Sequence, residues 1–162
     1  MEVVYLAGGC LWGVQAFVQT LPGVVETEAG RANGTTQTLD SPYDGYVECV
    51  KTTFDPTKTS VETLLSQLFE IIDPYSVNQQ GDDIGEKYRT GIYSEDSTHL
   101  QSATEWLTNR ADYAEIAVEV QLLSNYVKSA EIHQHHLAKY PNDYCHIPQT
   151  LMLKYKSTQR WS

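Results

Sequence analysis

Val3-Val4-Tyr5-Leu6-Ala7-Gly8-Gly9-Cys10-Leu11-Trp12-Gly13 runs from an apolar, β-branched segment through two glycines into a cysteine and a tryptophan. Val14, Phe17, Val18 and Leu21 follow at the spacing of one helix face. This pattern predicts a buried strand over 3–7, a sharp turn at the glycines and a helix beginning just after Cys10. The first turn of a helix presents unpaired amide hydrogens with partial positive charge, an environment that favours a thiolate over a thiol. Two readings of Cys10 follow, a nucleophile at a strand-to-helix turn or a small buried residue packed beside it. Trp12 likewise either fills the core or walls a pocket around the sulfur.

Working outward, Pro22-Gly23 marks a turn, 24–28 reads as a strand, and Gly30-Arg31-Ala32-Asn33-Gly34 with Thr35-Thr36-Gln37-Thr38 reads as a loop that Ser41-Pro42-Tyr43-Asp44-Gly45 closes. Period-two alternation over 46–54 places Tyr46, Glu48, Val50, Thr52 and Phe54 on one strand face. A carboxylate in apolar company has its ionised form disfavoured, so Glu48 either stays protonated and serves as an acid or sits at the wet end of an edge strand.

The clearest predicted helix spans 59–73. Thr59 and Glu62 match a capping box, Val61, Leu64, Leu65, Leu68, Ile71 and Ile72 form its stripe, and Pro74 ends it. Residues 75–87 form a polar loop containing Asn78-Gln79-Gln80-Gly81-Asp82-Asp83-Ile84-Gly85-Glu86, whose Gly and Glu do not fall where a calcium loop needs them. Further on, 89–93 reads as a strand, 97–110 as a helix with Leu100, Ala103 and Leu107 inward, and 116–122 as a strand. A final helix is expected over 130–140, stopped by Pro141, and Leu151, Leu153 and Tyr155 alternate as a short last strand. Strands and helices interleave, which predicts an α/β (α+β) arrangement with a mixed sheet.

The 162 residues, 41% hydrophobic and 20% charged, suit one domain with its own core. A net charge of -10 and a pI near 4.8 exclude a phosphate backbone or an anionic membrane as partner, because both would repel the chain. Neither a signal-peptide pattern nor a run of roughly 18 apolar residues is present, so a cytoplasmic location is expected. Three cysteines, Cys10, Cys49 and Cys145, are too few for a structural disulfide framework. His133, His135 and His136 lie near Cys145 and His146, but without a paired Cys-x-x-Cys they read as neutral or solvated histidines, and no metal is expected. Cys145 lies in an irregular stretch between Pro141 and Pro148, from which a thiol can reach a distant sulfenic acid. Cys49, fixed in a strand, reads as a packing residue.

In order along the chain, these segments resemble the type A peptide methionine sulfoxide reductases. Gly9-Cys10-Leu11-Trp12-Gly13 is similar to that family's Gly-Cys-Phe-Trp-Gly, and Val47-Glu48-Cys49-Val50 followed by Phe54-Asp55-Pro56 to its Ala-Glu-Val-Val strand. Asp73-Pro74, the stretch from Gln79 to Thr90, Ala130-Glu131-Ile132-His133-Gln134 and Asp143-Tyr144-Cys145 continue the likeness. The resemblance implies a single reductase domain over 1–162, a two-layer sandwich with a ferredoxin-like core, and no cofactor. It implies reduction of methionine-S-sulfoxide, free or in proteins, through a Cys10 sulfenic acid and a Cys10–Cys145 disulfide that thioredoxin reopens, an activity of protein repair under oxidative stress. Glu48 would donate the proton, Leu11 and Trp12 would wall the methyl pocket, and Asp83, Tyr88 and Tyr144 would hold and orient the substrate.

Three departures stand out. Leu11 replaces a phenylalanine, Arg31 takes the place of a tyrosine expected near the substrate oxygen, and Tyr46 stands where a histidine would be. Arg31 either supports the Cys10 thiolate or points to solvent, and Tyr43 or Tyr46 is the candidate for the lost hydroxyl. A thiol peroxidase or redox sensor using the same cysteine pair is the competing reading.

Overall fold

The computed structural model describes residues 1–143 and 147–155. Its elements run β1 (Glu2–Gly8), α1 (Leu11–Val18), β2 (Val24–Ala32), β3 (Val47–Phe54), α2 (Val61–Leu68), β4 (Gln79–Gln80), β5 (Asp83–Ile84), β6 (Thr90–Ser94), α3 (Ser97–Thr108), β7 (Glu119–Leu122), β8 (Tyr126–Lys128), α4 (His136–Lys139) and α5 (Gln149–Leu153), with short 3-10 turns between some of them. Six strands form one sheet in the order β7-β6-β1-β3-β2-β8, and β4 pairs with β5 in a separate small hairpin. The β6–β7 pair is parallel and the other pairs of the large sheet are antiparallel, so the fold is α/β with a mixed sheet as expected.

Both faces of the sheet are covered. Val4, Leu6, Val50, Phe54 and Ile92 meet Val14, Phe17 and Val18 of α1, Leu64, Leu65 and Leu68 of α2, and Ala103 of α3 in the larger core. Tyr5, Ala7, Ala32, Val47, Cys49 and Tyr93 form a second cluster on the opposite face, against which Leu123 and Tyr126 pack. The period-two reading of β3 therefore holds: Val50 and Phe54, on Glu48's side, face the helices, while Val47 and Cys49 face away.

Several boundaries differ from expectation. β2 runs on through Gly30, Arg31 and Ala32, because these residues pair with Lys128, Val127 and Tyr126 of β8, a strand of three residues that local patterning does not reveal. Gly30 belongs there for a steric reason, since a Cβ at that position would collide with the Tyr126 ring. The α2 cap is Ser60 rather than Thr59, its hydroxyl accepting the Thr63 N–H at 3.2 Å, and the helix proper stops at Leu68. Within 130–140 a 3-10 turn over Glu131–His133 and the short α4 are separated by His135, at φ +51°. Leu151 and Tyr155 pack on the larger core beside α1 and α2, and 149–153 is helix where a strand was expected.

Candidate active site

Strand register brings the singled-out residues together. Leu6 of β1 lies opposite Val50 of β3, and continuing that antiparallel register beyond the paired residues carries Gly8 towards Glu48. Gly8 itself pairs with Thr90 of β6, so the chain leaving β1 through Gly9 and Cys10 emerges beside the chain entering β6 through Tyr88 and Arg89. Arg31 of β2 pairs with Glu48. Gly9 turns the backbone with φ +96°, a conformation costly for any residue with a Cβ.

Cys10 occupies the N-cap position of α1 and is half-buried. Its carbonyl accepts the Val14 N–H at 3.3 Å, closing the first helical turn. The Leu11 N–H donates to Glu48 Oε2 at 3.3 Å, which ties the carboxyl to the same helix end. Burial pushes the Glu48 carboxyl from its ordinary 4.5 up to about 7, with the Asp83 charge adding to the rise. The Leu11 hydrogen bond and the positive charges of Lys87 and Arg31 work the other way without offsetting it. Near neutral pH a large share of Glu48 is therefore protonated, an acid one residue from the sulfur-bearing turn.

Trp12 is half-buried and held along its edge and on one face. Its Nε1–H donates to His133 Nδ1 at 3.0 Å, so that nitrogen is unprotonated. Burial, with the charges of His136, Arg31 and Lys87, lowers the pKa of His133 and favours this neutral ring. The indole face stacks on His136 with centroids 3.7 Å apart and planes 10° apart. The supporting segment is itself anchored: the Gln134 side chain bonds Ala29 N and O at 2.8 Å each and Ser129 O at 2.9 Å, and His135 N donates to the buried Gln15 at 2.8 Å.

Lys87 and Tyr88 ride on the 3-10 turn Glu86–Tyr88, which packs against β3. Lys87 Nζ lies 5.1 Å from the Tyr88 ring centroid. Burial and the Glu48 charge raise the Tyr88 phenol above its ordinary value. Burial alone would lower Lys87, but the charges of Tyr88, Tyr46 and Glu48 outweigh it and raise the ammonium. Arg89 fastens this turn, donating to the Glu86 and Gly45 carbonyls at 2.9 and 3.1 Å and to Glu119 at 3.1 Å. Buried Tyr93 donates to the same Glu119 oxygen at 2.6 Å.

Arg31 is occupied by Tyr46, its guanidinium lying 4.4 Å from that ring centroid, and by the Leu39 carbonyl at 3.4 Å. The Tyr43 hydroxyl donates to the Tyr46 carbonyl at 2.8 Å, and the two rings meet edge to face with centroids 4.9 Å apart. Cys49 is buried and its thiol is pushed far up by burial, as suits a packing residue. No group of three or more potential metal ligands occurs among the described residues. Tyr144 and Cys145 lie outside the described residues. Lys87, His133 and His136 were missed as site residues; the available signals were a lysine beside Tyr88 and three histidines within four positions.

This geometry coincides with an independent likeness to known proteins. A family model described as peptide methionine sulfoxide reductase matches residues 2–162. The chain is 41% identical over 155 residues to the peptide methionine sulfoxide reductase MsrA of Clostridium perfringens, covering 91% of this chain and 98% of that one. Among solved structures, Mxr1 of Saccharomyces cerevisiae in reduced form is similar with a TM-score of 0.82 and 25% identity over 89% of this chain and 88% of that chain. Methionine sulfoxide reductase A of Corynebacterium diphtheriae is similar with a TM-score of 0.79 and 29% identity over 89% and 77%. With its family shown over nearly its whole length, the chain belongs to the peptide methionine sulfoxide reductases and is an oxidoreductase of that kind.

Proposed function

We propose that the chain, acting as one domain with a ferredoxin-like core, reduces the S epimer of methionine sulfoxide, free or in peptides, with Cys10 as nucleophile and Glu48 as acid. The observation that carries this reading is the shared anchorage of the two groups: Cys10 caps α1 and Glu48, lifted to about 7, accepts the first amide of the same helix. The Cys10 thiolate attacks the sulfoxide sulfur, whose S–O bond breaks as the oxygen takes the Glu48 proton. An unprotonated oxide is a poor leaving group, so the step needs the acid. The hydroxide so released attacks the Cys10 sulfur, the S–S bond just formed breaks with methionine as the leaving group, and Cys10 holds the oxygen as a sulfenic acid. Cys145 then condenses with it, releasing water and closing a disulfide that a thioredoxin dithiol opens by exchange. The thiols supply both electrons, so the cycle needs no cofactor.

Leu11 and Trp12 wall the methyl group, while Asp83, Tyr88 and Tyr144 hold the rest of the substrate. Trp12 favours this reading over a thiol peroxidase: a half-buried indole held by two histidines is machinery that peroxide does not require. The proposed action is on substrates in the cytoplasm; no helix among the described residues is long and apolar enough to cross a membrane. The test resolves the two epimers of a methionine sulfoxide peptide with dithiothreitol as reductant. Selective loss of the S epimer is expected; loss of the R epimer alone, or of neither, overturns the reading.

A further inference from the structure

The indole of Trp12 has to present a fixed surface to a small methyl group, and its own position on the first turn of α1 does not fix it. The Nε1–H bond to His133 holds one edge but leaves rotation about that edge open. What blocks this rotation is the His136 ring, 3.7 Å away and within 10° of parallel. His136 is buried and is itself held at both nitrogens: Nδ1 is 3.0 Å from the Ile132 carbonyl oxygen and Nε2 is 2.6 Å from Asp143 Oδ2. A carbonyl only accepts, so Nδ1–H donates to it. The Tyr140 ring, 5.0 Å from His136, packs beside it.

We infer that His136 and Asp143 are positioning residues for Trp12: the pair clamps the indole and thereby sets the affinity of the methyl pocket. The inference rests on the proposed role of Trp12 as a pocket wall. Two features separate it from simple core packing. Asp143 is exposed, so its bond to His136 contributes orientation rather than burial. His136 also stacks on the face of Trp12, so its loss should be felt in binding more than in chemistry.

The test uses the full-length protein with Trp106 and Trp161 replaced by phenylalanine, which leaves Trp12 as the only one of three tryptophans. Trp12 emission, its quenching by acrylamide, and steady-state kinetics with a methionine sulfoxide peptide are measured for His136→Ala, His136→Phe and Asp143→Asn. His136→Ala should shift the emission to longer wavelength, expose the indole to quencher and raise KM roughly five- to tenfold, the scale of one such aromatic contact, with a smaller change in kcat. Asp143→Asn, at an exposed position that folding tolerates, should act in the same direction more weakly. His136→Phe, which restores a flat ring, should bring KM back towards the parent. Unchanged emission and KM in His136→Ala and Asp143→Asn would overturn the inference, as would equal losses in the alanine and phenylalanine variants. If the parent reduces no sulfoxide, the functional reading fails, and the Trp12 emission still decides whether the clamp exists.

Discussion

Replacing Glu48 by glutamine should make the protein poorer at its chemistry and more stable at alkaline pH, and the two effects have one origin. The carboxyl ionises near 4.5 in an unfolded chain and at about 7 in the fold, chiefly because it is buried. Between those values the unfolded chain releases the Glu48 proton while the folded chain keeps it, so stability falls as pH rises through the window and levels off above about 7. At 1.36 kcal/mol per pH unit, the interval from 4.5 to about 7 corresponds to a penalty of about 3 kcal/mol when complete. Solvent reaching the half-buried side chain reduces this, so the figure is a ceiling. Glutamine has nearly the same shape, stays neutral and can still accept the Leu11 N–H.

The comparison is urea unfolding of wild type and Glu48→Gln at pH 4.5 and pH 9. The two should be nearly equal at the lower pH, and the variant should be the more stable by up to about 3 kcal/mol at the higher, since the difference between them isolates this one group. Sulfoxide turnover at pH 7 should fall by about 10²- to 10⁴-fold, the usual worth of a positioned acid. A variant that is less stable than wild type at pH 9 would refute the buried-acid argument. Undiminished turnover at pH 7 would refute the assignment of Glu48 as proton donor even if the stability result held.

Other perturbations probe the surroundings. Lys87→Met removes a positive charge that favours ionised Glu48, so the alkaline fall in turnover, set by loss of the acid's proton near pH 7, should move to higher pH; a shift downward would contradict the electrostatics. Cys49→Ala should cost about 1 kcal/mol of stability for the small cavity, measurable by denaturant titration, and leave turnover within about twofold, because the thiol lies on the face away from Glu48. Gln134→Leu leaves the Ala29 amide and the Ser129 carbonyl without the Gln134 side chain, while the Ala29 carbonyl keeps the Ser129 N–H at 3.0 Å, and should destabilise by about 2–4 kcal/mol in the same assay.

The turn at Cys10 and the placement of Glu48 were legible because both rest on local rules. An apolar run, two glycines and a helical stripe define a strand, turn and helix, and alternation over 46–54 assigns Glu48 its face. Contacts between distant segments left no such trace. β8 exists because Tyr126, Val127 and Lys128 find the end of β2, and three residues are too short a run for periodicity to register. His133 pairs with Trp12 across 121 positions, so nothing in its local sequence separates it from a solvated histidine. The helix expected over 130–140 is interrupted where Gln134 inserts into the bonds of Ala29 and Ser129, a tertiary demand that overrides local propensity. Leu151, Leu153 and Tyr155 fit a strand's alternation, but Leu151, within α5, and Tyr155, two residues past its end, both meet the core from a helical segment and the turn after it.

The same few groups explain how the proposed site handles charge in a chain of net charge -10. The end of α1 and Lys87 favour an anion, yet the Asp83 charge and burial oppose a second one at Glu48. The proposed cycle starts from a Cys10 thiolate and a protonated Glu48. As the oxygen leaves the sulfoxide with the Glu48 proton, Cys10 becomes a neutral sulfenic acid and Glu48 a carboxylate. The site then holds one negative charge, as it did before the reaction. The Leu11 N–H already points at Glu48 Oε2 and strengthens as that oxygen gains charge, so the helix end that supports the thiolate at the start supports the carboxylate at the end. Charge passes between two groups anchored to one helix terminus, and the protein need not reorganise around a new anion during the chemical step.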